Sequence, residues 1–132
     1  IKARAVAGDA RLGRRFRKFT RGITWARRAD DSHLREVFEM KKRSEKTADG
    51  QNARNLKSGP GGIRDAEWCV QQLQMMLGPS RPRARAGATL RALEVLDELD
   101  ALSPDETRQL RESYLWLRVA EHRLQLWNGQ AV

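Results

Sequence analysis

Cysteine occurs once in the 132 residues, at Cys69, and a single thiol excludes an internal disulfide and any multi-cysteine metal site. Long apolar runs are missing too: nothing approaches the roughly 18 consecutive apolar residues of a membrane-spanning helix. No secretory leader is expected, because Ile1-Lys2-Ala3-Arg4 passes straight into charged sequence. A reducing cytoplasm is the compartment this points to. The chain lacks an initiator methionine, as expected of a piece whose true start lies upstream. Histidine is scarce, with only His33 and His122. Neither has a second His or Cys at ligand spacing, so both read as structural residues rather than catalysts. No Ser-His-Asp constellation can be identified from spacing, and no internal repeat is apparent.

What is present is length for one domain with a real core, 39% hydrophobic and 33% charged residues, and a formal net charge of +9. That charge is concentrated at the start. Residues 1–28 hold ten Lys or Arg against Asp9 alone, and the remainder is balanced. A basic arm of this kind suits nucleic acid, a nucleotide or an acidic protein face. An arginine-rich composition with solvated faces accounts for it equally well.

The hydrophobic periodicity is almost wholly helical. Leu12, Phe16 and Phe19 predict a short amphipathic helix over 9–19, capped by Asp9, with an extended or irregular Ile23-Thr24-Trp25 after Gly22. Asp30, Asp31 and Ser32 offer caps for a helix to about Thr47, with Leu34, Val37, Phe38 and Met40 toward a core. Residues 48–62 form the one long break, within which Asn55-Leu56-Lys57 could be a brief strand. Ile63, Ala66, Val70, Leu73 and Leu77 then advance by three and four, an unbroken apolar stripe ended by Gly78-Pro79. After a basic loop, Thr89 is expected to cap Leu90–Leu99, with Leu93, Leu96 and Leu99 buried. Ser103-Pro104-Asp105-Glu106 is a capping box with proline at the first helical position. The helix it opens should reach about Trp127, with Leu110, Tyr114, Leu117 and Leu124 on one side. The four tryptophans read as core or interface fillers, since none alternates with basic residues as a stacking platform would. The expected fold is an all-α helical bundle with one glycine-rich loop and room for a short strand.

That loop, "NLKSGPGGIRD", carries the chemistry. Glycines permit tight turns and close approach to the backbone. They can free N–H groups to converge on an anion, and the following helix adds the positive end of its dipole. Lys57 and Arg64 flank the turn: Arg64 can hold phosphate oxygens bidentately, and Lys57 acts as a point charge. The pattern is neither a Walker motif, having no terminal Gly-Lys-Ser/Thr, nor a GxGxxG fingerprint. A purely structural turn uses the same residues and stays open beside the phosphate reading. Asp65 suits the helix dipole or could orient Arg64. Glu67 lies about 200° around the helix from it, so the pair cannot clamp one metal.

At this loop the sequence resembles a known family. "NLKSGPGGIRDAEWCVQQLQMMLG" is similar to the signature N-[IV]-K-x-G-x-G-G-I-R-[DE]-I-E-F-x-V-Q-x-x-Q-L of bifunctional glutamine synthetase adenylyltransferase/adenylyl-removing enzymes. "IKARAVAGDARLGRRF" is similar to the segment after their first nucleotidyltransferase motifs. "ATLRALEVLDELDALSPDETRQLRESYLWLRVAEHRLQL" is similar to the helical region beyond the loop, so essentially the whole chain is covered. Ala66 and Trp68 depart from the signature's bulky apolar residue and Phe, on the packing side. Signal-protein uridylyltransferases carry a looser version of the loop, but "AEWCVQQLQ" and "EHRLQ" argue against a piece of one.

The resemblance implies a large duplicated parent, each half a polymerase-β-type nucleotidyltransferase domain followed by helices. One half removes AMP from a glutamine synthetase tyrosine by phosphorolysis; the other attaches AMP from ATP with magnesium. Arg64 is similar to the residue of the adenylyl-removing half. Residues 1–62 would be the tail of a nucleotidyltransferase domain and 63–132 a helical bundle domain. Lys57, Gly59, Gly61, Gly62, Arg64 and Asp65 would line the nucleotide side of the complete site. The metal-binding Asp-x-Asp would lie upstream, for none occurs in this sequence; the piece alone is therefore expected to be inactive, with no catalytic or metal-ligating residue of its own. Glutamine synthetase and a nitrogen-regulatory signal protein are the implied partners, with Arg14, Arg15 and Arg17 a possible docking surface for an acidic one; membrane and nucleic acid are not expected partners. The competing reading is a basic helical module that binds nucleic acid or an acidic protein.

Overall fold

The structure is a computed structural model that describes residues 1–47 and 55–128, with the side chains of 44–47 and 128 excepted. Its helices are α1 (Ala10–Thr24), α2 (Asp31–Thr47), α3 (Ile63–Leu77), α4 (Thr89–Glu98) and α5 (Pro104–Asn128), with a 3-10 turn at Pro82–Ala84 between α3 and α4. Among the described residues there is no strand; Asn55-Leu56-Lys57 opens a run of turns instead. The all-α expectation holds. The portion of the expected break at 48–54 lies outside the described residues.

The core is where the α3 stripe meets α4 and α5. Val70 packs with Ala92, Leu93 and Leu96, backed by Leu73, Leu77 and Leu110. A second cluster joins Ile63 and Ala66 to Tyr114, with Leu90, Leu110 and Leu117 around it. Each fully covered Leu or Val side chain contributes about 1.5–3 kcal/mol, so these three helices hold the molecule together. Gln74 on the same stripe is buried, and its amide nitrogen donates to the Ala84 and Ala86 carbonyls at 2.6 and 2.7 Å. One side chain thereby satisfies two carbonyls of the basic loop and fixes its path over the core.

The expected caps mostly form. Asp9 accepts from Leu12 N–H at 2.7 Å and Asp30 from His33 N–H at 3.0 Å. Ser103 and Glu106 exchange backbone N–H bonds reciprocally, at 2.8 and 3.3 Å. Thr89 is not a cap: Ala88 holds that position, and the Thr89 hydroxyl instead accepts from Lys2 Nζ at 3.4 Å. Helix α4 closes with Asp100 at φ 54°, while Ala101 N–H reaches Leu96 O and Asp100 N–H reaches Asp97 O. That is a left-handed Schellman ending without its usual glycine.

Other expectations need correction. Helix α1 does not stop before Ile23 but runs through Gly22 to Thr24, and Trp25 caps its end by donating to Arg21 O. The buried Trp25 ring then seats against the Gly78 backbone, with the Arg85 guanidinium 5.6 Å from its centroid. Phe38, Met40 and Leu124, expected toward the core, are exposed. Of the tryptophans, Trp25 is in the core, Trp68 is half-buried, and Trp116 and Trp127 face outward.

Candidate functional site

The turn before α3 is built by its own hydrogen bonds. Asn55 Oδ1 accepts from the Lys57 and Ser58 N–H groups, both at 2.9 Å, and the Asn55 carbonyl accepts from Gly59 N–H at 2.8 Å. Gly62 N–H returns to Gly59 O, Ile63 N–H to Leu56 O and Arg64 N–H to Lys57 O, each at 2.9 Å. Asp65 N–H bonds Gly62 O at 3.0 Å, and Gly61 N–H is taken by Asp65 Oδ2 at 2.9 Å. Pro60 has no N–H. Every backbone donor from Lys57 to Asp65 is therefore engaged inside the loop.

This changes what the glycines do. Gly61 has φ 72°, the left-handed conformation that a turn here demands. Gly62 has an ordinary φ, but a Cβ there would lie 2.7 Å from Leu56 O and 2.9 Å from Gly59 O. Gly59 is buried, both donating and accepting within the turn. The glycines close the loop on itself instead of opening its N–H groups outward, so any anion affinity rests on side chains.

Lys57 is exposed and Arg64 half-buried, and neither makes a hydrogen bond, ion pair or ring contact with another described side chain. The Arg64 N–H to Lys57 O bond holds their backbones side by side at the start of α3. A guanidinium fork and an ammonium point charge, without described side-chain partners, thus leave from adjoining backbone positions. Asp65 is committed elsewhere. Besides Gly61 N–H, its carboxylate takes Lys41 Nζ from α2 at 2.9 Å. That pair ties α2 to the loop and leaves Asp65 a positioning role. Beside it, between α2 and α3, opens a cavity of about 220 Å³ lined by Leu34, Val37, Phe38, Trp68, Cys69 and Asp65 among others.

Glu67 faces away from Asp65, as the helical spacing requires. It accepts Lys2 Nζ at 2.8 Å and the Tyr114 hydroxyl at 3.3 Å, pinning the N-terminal segment and α5 to α3. Loss of solvent around the Cys69 sulfur, with the Glu106 carboxylate adding to it, pushes that thiol up and away from nucleophilic use. His122 lies 3.3 Å from the Arg118 guanidinium at the surface, and His33 takes part in the α2 cap. Arg14, Arg15 and Arg17 are exposed on α1 without an ion pair to any described residue. Among the described residues no three His, Cys, Asp or Glu side chains converge on a metal position. These residues do not compose a magnesium site. No described helix is long and apolar enough to cross a membrane.

Sequence reasoning missed Lys41 and Lys2, the partners of Asp65 and Glu67. Both contacts span distant parts of the chain, and no local pattern signals them.

A helical segment with this loop at the head of α3 matches a family profile described as GlnD PII-uridylyltransferase, over residues 32–131. The chain belongs to that family. Curated relatives are named "Bifunctional glutamine synthetase adenylyltransferase/adenylyl-removing enzyme". The chain is 36% identical over 127 residues to the one from Mycobacterium avium (strain 104), covering 96% of this chain and 13% of that protein. It is 37% identical over 128 residues to the one from Streptomyces avermitilis, again 96% and 13%. For Bifidobacterium longum (strain NCC 2705) the figures are 35% over 129 residues, 97% and 12%. The chain thus spans 12–13% of the length of these relatives.

Proposed function

We propose that this chain is part of a nucleotidyltransferase that adds or removes AMP on glutamine synthetase to control nitrogen assimilation in the cytoplasm. In this reading 1–62 is the tail of the nucleotidyltransferase domain and 63–132 its helical companion. The segment supplies the phosphate side of the site; the magnesium-binding carboxylates come from elsewhere in the parent. The observation that carries the reading is the pair Lys57 and Arg64, held side by side at the head of α3 and left unpaired among the described residues. The names of the relatives supply the substrate class.

The residues divide the work as follows. Arg64 grips two oxygens of an AMP or ATP phosphate and Lys57 adds a second positive charge, lowering the cost of bringing phosphate charges together. Gly59, Gly61 and Gly62 fold the turn that places them. Asp65 locks the turn to α2 through Lys41. Magnesium, when bound by the parent, neutralises charge on the transferring group; without it the isolated segment is inactive. The likeness of Arg64 to the residue of the adenylyl-removing half supports placing the segment in that half. Arg14, Arg15 and Arg17 offer a face for an acidic partner, either glutamine synthetase or a nitrogen-regulatory signal protein.

The test is Lys57→Ala and Arg64→Ala in the parent enzyme, assayed for AMP transfer to and phosphorolytic removal from glutamine synthetase. Each variant should lose at least tenfold in the removal reaction, while its unfolding midpoint stays within about 1 °C, since no described partner is lost. Unchanged turnover in both variants would overturn the assignment. Uridylyl transfer to a signal protein by the same parent would instead select the activity in the family profile's description.

A further inference from the structure

The cavity between α2 and α3 is built from two facing helix surfaces. Leu34, Val37 and Phe38 come from α2, and Trp68, Cys69 and Gln72 from α3. It holds about 220 Å³, and apart from its two ends its walls are apolar. The Lys41–Asp65 ion pair stands at one end. Gln72 stands at the other, about 10 Å along α3 from Asp65 and on nearly the same face. Its Oε1 atom is buried, and no donor among the described residues reaches it. A buried acceptor of this kind calls for a donor that the described chain does not supply.

We propose that this cavity is the seat of an adenine base, the other end of the nucleotide whose phosphate Lys57 and Arg64 hold. The proposal rests on the nucleotide reading above and names the residues that choose the base. Two aromatic rings, Phe38 and Trp68, line the cavity from opposite helices, and a flat heteroaromatic base stacks on such rings. Phe38 is 54% exposed, surface that a stacked base covers. Along one edge adenine offers N7 as an acceptor and its exocyclic amino group as a donor. A glutamine amide matches that edge bidentately: Oε1 accepts from the amino group and Nε2 donates to N7. Guanine offers two acceptors there, which would set its O6 against Gln72 Oε1. The spacing agrees as well. Arg64 lies about 12 Å before Gln72 along the helix axis and only about 40° around it from Trp68. That is the span of AMP from phosphate to amino group.

Calorimetric titration of the full-length gene product with AMP, and with the monophosphate of purine riboside, which lacks the amino group, tests this. With Gln72 in place, AMP should bind about tenfold more tightly than the amino-free analogue. In Gln72→Leu, AMP should weaken about tenfold and the analogue hardly at all, so that the discrimination disappears. A structural loss would weaken both ligands alike and would overturn the inference. Discrimination that survives in the variant, or UMP bound as tightly as AMP, would do the same. Phe38→Ala should weaken both ligands about tenfold through lost stacking; unchanged affinities would also count against the seat. Failure of the phosphate reading looks different. Arg64→Ala would then leave AMP affinity unchanged, while adenosine, which has no phosphate, would still lose affinity in Gln72→Leu. AMP that does not bind at millimolar concentration would overturn both.

Discussion

Replacing Gly62 with alanine should damage the loop more than replacing Gly61, although Gly61 has the unusual backbone. The built Cβ at Gly62 stands 2.7 Å from Leu56 O and 2.9 Å from Gly59 O. Ordinary carbon–oxygen contacts begin near about 3.3 Å, so both carbonyls must retreat by about half an ångström. They are the same two carbonyls that accept from Ile63 and Gly62 N–H. Relief therefore means weakening two hydrogen bonds, each contributing about 1 kcal/mol net and more when an acceptor is left unsatisfied. The less flexible unfolded chain of an alanine variant returns about 0.5 kcal/mol. Gly62→Ala should cost about 2–3 kcal/mol, whereas Gly61→Ala, at φ 72° with nothing within 4 Å, costs only the left-handed penalty of about 1 kcal/mol. For a chain of this size, that separates the unfolding midpoints by about 5 °C or more. Thermal unfolding followed by circular dichroism reads the difference directly. A Gly62→Ala midpoint equal to that of the parent sequence, or above that of Gly61→Ala, would refute the packing argument.

Two further experiments test charge. Arg118 pairs with Glu121 and Arg108 with Asp105, both at 2.7 Å and three residues apart on α5, but the Glu121 side chain is 3% exposed and that of Asp105 88%. Arg118→Ala strands a buried carboxylate and should cost about 3 kcal/mol, while Arg108→Ala should cost less than about 0.5 kcal/mol in the same denaturant titration; equal losses would show that burial does not set the scale here. The second concerns acid. The Ser103 hydroxyl and N–H hold the Glu106 carboxyl below its ordinary value of 4.5, and His33 N–H with Ser32 does the same for Asp30. A depressed folded value means stability that is present above the unfolded pKa and lost as pH falls through the folded one. The midpoint should therefore decline only below about pH 4.5, and Ser103→Ala should flatten that decline; an unaltered acid limb would exclude the capping box as its source.

How far the fold was legible follows from what periodicity encodes. The α3 spacing of Ile63, Ala66, Val70 and Leu73 named a face that is indeed covered, because α4 and α5 lie within the same sequence and supply their own matching faces. The same pattern on Phe38, Met40 and Leu124 named faces that are exposed. Periodicity reports that a stripe is apolar and is silent on what covers it. Boundaries failed for a different reason. Gly22 lowers helix propensity by about 1 kcal/mol, but Trp25 anchored on Gly78 offsets that from outside the local window.

The loop was legible as a special segment from its glycines and flanking cations. The roles came apart only in three dimensions. A cluster of glycines before a helix is compatible with an outward-facing nest of N–H groups or with a knot that consumes them, and sequence cannot choose between the two. Here Asn55 begins the knot and Asp65 finishes it, and each engaged donor is one that no phosphate can use. What the knot achieves is rigidity: it fixes the Lys57 and Arg64 backbones through a single 2.9 Å bond while leaving both side chains unpaired among the described residues. Gripping a ligand with side chains on such a fixed turn, as proposed above, loses less backbone freedom than gripping it with a loop that must first fold. The glycines and Asp65 are thus accounted for by the architecture of the turn, and Lys57 and Arg64, with no described side-chain partner, are left for the phosphate role proposed above.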